Sequence, residues 1–181
     1  LIDMPLNSLP VTTTLKAIQA KIVATKNQLH VDCGFWGGLV PDNLKEIDSL
    51  IEAGVCGFKA FMTPSGIEEF PEVTEELLLK AMPRLAAKNI PLLVHAELGI
   101  PTDGPSGDPR LYSTYLTSRP KSHENKAIAL LLDLCRKTNC RIHIVHLSSA
   151  ESLDMLKIAK EEGLPITVET CPHYLFFSAE T

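Results

Sequence analysis

The chain has 181 residues, of which 45% are hydrophobic and 22% charged, a composition typical of one globular domain with a sizeable core. Its formal net charge of -5 argues against sequence-independent binding of nucleic acid, because that binding needs clustered lysines and arginines. The first residues do not show the charged n-region and apolar h-region expected of a signal peptide, and no uninterrupted apolar run approaches the roughly 18 residues that a membrane span requires.

The five cysteines form an odd set without a C-x-x-C pair. This pattern favours reduced thiols over a disulfide framework and therefore predicts a cytoplasmic location. The first residues lack a methionine and read at once as the end of a strand. We therefore expect this chain to be a piece of a longer protein. Because its termini are missing, location in an organelle such as the peroxisome is an alternative.

Strand-like and helix-like segments alternate along the chain. Apolar, β-rich runs of strand length recur at 1 to 5, 29 to 36, 55 to 62, 91 to 97, 141 to 148 and 165 to 171. Segments with helical periodicity lie between them, most clearly at 12 to 27, 42 to 53, 73 to 88, 123 to 137 and 149 to 162. Strict alternation of this kind predicts an α/β chain with a parallel sheet.

The number of residues per strand and helix matches that of a (β/α)8 barrel, which typically has about 250 residues. A doubly wound open sheet is the alternative architecture. No G-x-G-x-x-G or P-loop motif follows any strand segment, so the strongest signal of a nucleotide-binding sheet is missing. The segment 97 to 122 is long for a connection, and in a barrel we expect it to cover the catalytic face as a lid or to be disordered.

One lysine, Lys59, stands inside an apolar strand segment. Its stem could pack along apolar surface while its ammonium group reaches water, which is the usual explanation for a single such residue. Alternatively, burial lowers its pKa, and the neutral amine becomes a nucleophile or a target of chemical modification.

Four ionisable residues lie at or near the carboxyl-terminal ends of four successive strand segments: Lys59, His95, His146 and His173. In a barrel these ends converge on one face, where active sites are built from several strands. Imidazole nitrogens suit zinc, iron, cobalt or nickel, and a catalytic metal brings the pKa of water close to neutrality. A lone buried histidine is more often a hydrogen-bonded core residue, but the common position of these residues favours a metal site.

We expect the other candidates to be structural. His143 lies three residues before His146, so on a strand the two side chains would point to opposite faces and His143 would pack outwards. His30 is at a strand start and His123 at a helix start. Cys171 is close to a histidine but has no second cysteine nearby, which favours a small buried hydrophobe over a metal ligand.

Six motifs give the chain a resemblance to a known family. They are "DMPLNS" (3 to 8), "GFWGGLVPDN" (34 to 43), "GFKAFM" (57 to 62), "VHAE" (94 to 97), "HIVHLSS" (143 to 149) and "ETCPHYL" (169 to 175). Together they resemble the cyclic-amide hydrolases of the amidohydrolase superfamily, a group of allantoinases, dihydropyrimidinases or hydantoinases, and dihydroorotases. The resemblance covers essentially all of 1–181 and implies part of a single (β/α)8 TIM barrel domain, with about strands two to seven present.

The resemblance also implies a set of metal ligands. In that family the lysine that ends strand four is carboxylated to a carbamate bridging two metal ions, and the histidines that end strands five and six bind the second metal. By this resemblance Lys59 is the carbamate, and His95 and His146 are ligands. Zinc is the first expectation for the two divalent ions, with iron, cobalt or manganese as alternatives. His173 resembles a residue that lines the family's site without binding metal.

Within the group, the stretches 34 to 43 and 64 to 71 look most like the allantoinase branch. Dihydropyrimidinases typically carry a tyrosine five residues after the bridging lysine, where this chain has Pro64, followed by Ser65, a second candidate for lining the site. The implied reaction is hydrolysis of the hydantoin ring of allantoin to allantoate by a metal-activated hydroxide. A dihydropyrimidinase or hydantoinase, and a non-catalytic scaffold protein on the same barrel, are the alternatives.

Two parts of the family's site have no counterpart in this sequence. They are the H-x-H pair that ends strand one and the general-base aspartate that ends strand eight, so we expect the chain alone to be inactive. For the complete protein the resemblance implies a small-molecule substrate, no nucleic-acid or membrane partner, and a homo-oligomer, commonly a tetramer.

Overall fold

The fold is known from a computed structural model that describes residues 1–99 and 107–178. Its strands are β1 (Ile2–Asp3), β2 (Gly34–Phe35), β3 (Gly37–Gly38), β4 (Phe58–Phe61), β5 (Leu92–His95), β6 (Ile142–Ile144) and β7 (Ile166–Val168). Its α-helices are α1 (Leu15–Thr25), α2 (Ile47–Glu52), α3 (Glu75–Ala87), α4 (Tyr112–Ser118), α5 (Lys121–Thr138) and α6 (Leu153–Glu161). Short 3-10 helices occupy Leu44–Glu46, Ala150–Ser152 and Pro172–Leu175.

The segments β2 and β3 act as one strand interrupted at Trp36. β2 pairs in parallel with β1, and β3 pairs in parallel with β4. The backbone N–H of Trp36 donates to the carbonyl of Asp3 at 2.9 Å, and that of Gly37 donates to the carbonyl of Gly57 at 2.8 Å. The interrupted strand therefore joins β1 to the five-stranded sheet.

The strand order separates the two architectures that the sequence left open. The larger sheet has the order β3-β4-β5-β6-β7, and every neighbouring pair is parallel. A doubly wound sheet reverses its strand order at a switch point, whereas a barrel adds each strand beside the previous one. The predicted α/β class is confirmed, and the sequential order is that of part of a (β/α)8 barrel.

The two faces of the sheet differ in chemistry. Alternate strand residues face the helices and are fully buried apolar side chains: Phe58, Ala60, Leu92, Val94, Ile142 and Ile144. They share one core with apolar residues of α3 and α5, including Leu78, Met82, Leu85, Ile128 and Leu131. The intervening residues, among them Lys59, Leu93 and His143, occupy the opposite face, which is the interior of the barrel.

Local signals set most helix boundaries close to the predicted ones. The side chains of Thr14 and Thr74 accept backbone N–H bonds at 3.2 Å and so cap the starts of α1 and α3. Asn139 adopts a left-handed conformation (φ 52°) at the end of α5.

Two of the predicted segments differ from the structure. The second strand starts at Gly34, so most of the predicted segment 29 to 36 precedes it. The predicted long connection, 97 to 122, contains helix α4 and the start of α5, while its residues 100–106 lie outside the described ranges.

All five cysteines are free thiols, as the sequence predicts. Over residues 1–99 and 107–178, no helix combines the length and apolar character needed to cross a membrane.

Candidate active site

Lys59 is the second residue of β4 and is 4% exposed. Its Nζ donates to the carbonyl of Ala60 at 3.1 Å and lies 3.9 Å from the centroid of the Phe61 ring. Burial lowers the pKa of Lys59 to about 7, an effect that the negative charge of Glu169 partly offsets. The lysine is thus inside the strand rather than at its end, and a substantial fraction of the amine is neutral near pH 7.

His95 and His146 converge beside this lysine. His95 ends β5, and its Nδ1 lies 3.2 Å from Nε2 of His146. The His95 ring stacks on Phe61 with centroids 4.8 Å apart. Burial lowers the pKa of both histidines, and the positive charge of Lys59 lowers them further. Both imidazoles are therefore neutral at pH 7, the form that offers a lone pair to a metal ion.

The backbone at His146 is held in an uncommon conformation. His146 lies two residues beyond β6 and has a φ of 44°, in the left-handed region that few non-glycine residues adopt. The carboxylate of Glu124, from α5, accepts three bonds of 2.6 to 3.0 Å from the N–H and hydroxyl of Ser148 and the N–H of Ser149. These bonds fix the loop that carries His146, and backbone outliers of this kind cluster at functional sites.

The expectation that His143 packs outwards is wrong. His143 pairs in register with Leu93, which pairs with Lys59, so all three occupy the inner face of the sheet. His143 also contacts Thr167 through Nδ1 at 2.8 Å. The alternation argument failed because His146 is beyond the strand, where side chains no longer alternate.

The other two sequence candidates do not contact the histidine pair. The hydroxyl of Ser65 donates to the carbonyl of Phe70 at 2.5 Å, within the turn after β4. His173 is exposed in the 3-10 helix after β7, and its ring packs edge-to-face on Tyr174.

The sequence reading missed one carboxylate of the site, Glu97. Its Oε2 lies 3.2 Å from Nε2 of His95 and 2.5 Å from an Nη of Arg119, the residue that follows α4. A charged residue two positions after a buried strand is the signal that could have identified it. Its partner Arg119 is 22 residues away along the chain, and only the fold brings the two together.

The donor set fits a divalent metal ion. Two neutral imidazole nitrogens face each other across 3.2 Å, and a buried amine with a lowered pKa lies close enough to shift the pKa of both. Within the described ranges, no group of three or more histidine, cysteine, aspartate or glutamate side chains forms a ready metal site. The two imidazoles and the Lys59 amine are therefore the residues here that could hold a metal ion.

Solved structures place the fold in a class. The chain matches an L-hydantoinase (dihydropyrimidinase) from Arthrobacter aurescens with a TM-score of 0.86 and 30% identity, covering 99% of this chain and 41% of that chain. It also matches a dihydropyrimidinase from Brevibacillus agri with a TM-score of 0.79 and 25% identity, over 98% of this chain and 40% of that chain. The fold is thus that of the cyclic amidohydrolases, of whose barrel the chain covers a part.

Comparison with curated protein sequences narrows the family further than the solved structures do. The chain is 50% identical to a mitochondrial allantoinase from Aquarana catesbeiana, 50% identical to an allantoinase from Arabidopsis thaliana and 43% identical to one from Saccharomyces cerevisiae. Each match covers 99% of this chain but only 37%, 38% and 40% of the relative. No protein-family profile matches. The chain is homologous to allantoinases over its whole length, which confirms the predicted resemblance, and it spans about two fifths of theirs.

Proposed function

We propose that this chain is part of a metal-dependent hydrolase that opens the hydantoin ring of allantoin to give allantoate. The term complete protein is used below for a protein that contains this chain and has the full length of its relatives. The observation that carries the proposal is the approach of His95 Nδ1 to His146 Nε2 at 3.2 Å beside the buried Lys59. Homology to allantoinases supports the choice of substrate.

Lys59 has the properties that carbamate formation requires. Its neutral amine nitrogen bonds to the carbon of carbon dioxide, one carbon–oxygen π bond opens, and one proton is released, leaving an anionic carbamate in place of the neutral amine. A pKa of about 7 makes the neutral amine available, because burial disfavours the charged ammonium. The carbamate of Lys59 and the imidazoles of His95 and His146 are the groups that would hold the two divalent cations.

Zinc is the first choice for these cations, which supply a Lewis acid and bring the pKa of a water molecule close to neutrality. The chain's own contribution is to hold the ligands. The stacking of Phe61 on His95 fixes one imidazole, and the bonds of Glu124 to the 148–149 loop fix the other. We assign Ser65 and His173 to the lining of the substrate site, and the proton shuttle to an aspartate outside 1–181.

The proposal also covers the domain organisation, the cellular compartment and the oligomeric state of the complete protein. Residues 1–181 form part of one barrel domain, which the continuous strand order supports. Five free cysteines support a reducing compartment, for which the cytosol is our first choice, and the relative from Aquarana catesbeiana, which is named mitochondrial, makes an organelle the alternative. The family resemblance supports a homotetramer.

A hydantoinase or dihydropyrimidinase is the second candidate function, because the solved neighbours carry those names. Sequence identity favours allantoin hydrolysis, because the chain is 50% identical to two allantoinases and 30% identical to the hydantoinase. A non-catalytic scaffold on the same barrel is disfavoured, because His95 and His146 are retained in contact and Lys59 lies close enough for its charge to lower the pKa of both.

A substrate panel tests the proposal. We expect the complete protein to have a kcat/KM for allantoin at least about tenfold above that for dihydrouracil, a difference of about 1.4 kcal/mol in transition-state binding. The reason is the presence of Pro64 where dihydropyrimidinases carry a tyrosine. Ring opening of allantoin, dihydrouracil, hydantoin and dihydroorotate would be measured under one set of conditions. An equal or higher kcat/KM for dihydrouracil would reverse the assignment in favour of the second candidate.

Reactivation of the metal-free complete protein should depend on pH through Lys59. Below pH 7 the amine is mostly protonated and cannot add carbon dioxide. At a fixed concentration of dissolved carbon dioxide, the rate of reactivation by zinc should therefore rise about tenfold per pH unit up to about pH 7 and then level off. Burial lowers the pKa of His95 to about 4 and also lowers that of His146, so both imidazoles are neutral at pH 7 and above. Activity regained after timed incubation measures the rate, with carbon-dioxide-free buffer as the control. A rate independent of both pH and bicarbonate would argue against a carbamate.

A further inference from the structure

The carboxylate of Glu97 links the candidate ligand His95 to Arg119. Its Oε2 contacts Nε2 of His95 at 3.2 Å and an Nη of Arg119 at 2.5 Å. The Glu97 side chain is only 12% exposed and that of Arg119 is 34% exposed, so both contacts are partly shielded from water. An ion pair that is partly shielded from water is screened less than an exposed one.

The contact determines which nitrogen of His95 can bind a cation. A carboxylate accepts hydrogen bonds, so Glu97 favours the tautomer with the proton on Nε2. The lone pair then resides on Nδ1, the atom that faces His146 Nε2 at 3.2 Å. A carboxylate on the far nitrogen of a ligating imidazole also fixes the ring and raises its basicity.

Arg119 connects this carboxylate to a distant part of the chain. Its backbone N–H donates to the carbonyl of Leu116 at the end of α4, and its guanidinium lies 5.8 Å from the Tyr115 ring. The neighbouring backbone is tied as well, because the N–H of Leu98 donates to the carbonyl of His123 at 3.0 Å. The region from α4 to the start of α5 is therefore anchored directly beside His95.

We propose that Glu97 and Arg119 are positioning residues of the metal site, with Arg119 holding the Glu97 carboxylate and Glu97 holding His95 with Nδ1 directed at the cation. The inference rests on the proposed function, because it takes His95 as a ligand. It assigns a role in the site to the long connection after β5: its Arg119 supports a ligand that is 24 residues earlier in the sequence.

The test uses the complete protein and three variants, Glu97→Leu, Glu97→Gln and Arg119→Gln, together with the double variant E97L/R119Q. Zinc affinity is measured by chelator competition, and the visible spectrum of the cobalt-loaded protein reports ligand geometry. Arg110→Gln is the matched control, because Arg110 belongs to the same connection but pairs with Asp108 at the surface. Thermal unfolding of the metal-free proteins shows whether each variant folds.

We expect Glu97→Leu to weaken zinc binding about 10- to 100-fold and to change the cobalt spectrum. Glu97→Gln keeps an acceptor for the Nε2 proton and should lose less affinity, while Arg110→Gln should match the wild type. Because Arg119 acts through Glu97, Arg119→Gln should weaken binding in the wild type but add nothing in the Glu97→Leu background.

Two results would overturn the inference alone: wild-type zinc affinity and cobalt spectrum in Glu97→Leu, or an equal cost of Arg119→Gln with and without Glu97. A wild-type complete protein that binds no divalent metal would overturn the proposed function and this inference together. Metal binding without allantoin hydrolysis would count against the proposed substrate only, and the zinc affinities of the variants would still decide the inference.

Discussion

The variant Lys59→Ala of the complete protein should lose its metal ions and at least about a thousandfold of its allantoin turnover, corresponding to about 4 kcal/mol of transition-state stabilisation. The reason is that the two neutral imidazoles of His95 and His146 would be left without the anionic ligand that links two cations. The fold should survive, because the buried amine forms no ion pair with any carboxylate in the described ranges and donates to one backbone carbonyl.

Metal content by mass spectrometry, circular dichroism and turnover are measured together on Lys59→Ala. Lys21→Ala is a suitable control: the Lys21 side chain is only 8% exposed but pairs with Asp3 at 2.8 Å, away from the histidine pair. That variant should lose some stability yet retain metal and turnover. Full metal content and wild-type rate in Lys59→Ala would show that Lys59 is only a packed lysine.

The isolated 181-residue chain should be inactive and poorly stable. In the described structure β1 and β7 each pair with one strand only, so the sheet has two open edges. A closed barrel has no such edges, and open apolar edges favour aggregation. Apolar side chains are exposed at both ends of the chain, with Leu1 80%, Leu9 79%, Leu175 80%, Phe176 81% and Phe177 69% exposed.

The chemistry of the isolated chain should fail independently of its stability. Only Lys59, His95 and His146 are available as proposed ligands, enough for one weakly held ion but not for a bridged pair with a proton shuttle. Expression of residues 1–181 alone, followed by measurement of solubility, metal per chain and allantoin turnover, would decide the matter. A soluble, active monomer with two metal ions would contradict both parts of this prediction.

The sequence predicted the alternation of strands and helices because each strand and helix carries its own local periodicity. Strand order is a property of the assembled sheet, so the open sheet could be excluded only once the pairing of β3 through β7 was seen. The interruption at Trp36 was missed for a related reason. It depends on a contact outside its own segment, the bond from the N–H of Trp36 to the carbonyl of Asp3.

The candidate site was predictable where it follows barrel geometry. Lys59, His95 and His146 lie in or just after consecutive strands, and the prediction that they meet rested on that position and on the family resemblance. His143 was misplaced because a period of two was applied across the end of a strand, into a loop with a left-handed residue. The pairing of Arg119 with Glu97 could not be predicted, because an ion pair between residues 22 positions apart leaves no periodic signal in the sequence.

Anomalous diffraction at the zinc edge, from crystals of the complete protein grown with zinc and bicarbonate, would reveal the proposed metal site and its ligands. The expected map has a zinc peak about 2.0–2.1 Å from both Nδ1 of His95 and Nε2 of His146. A planar carboxyl group should extend from Nζ of Lys59 towards it. A bare lysine amine, with no zinc within coordination distance of both histidines, would contradict the account.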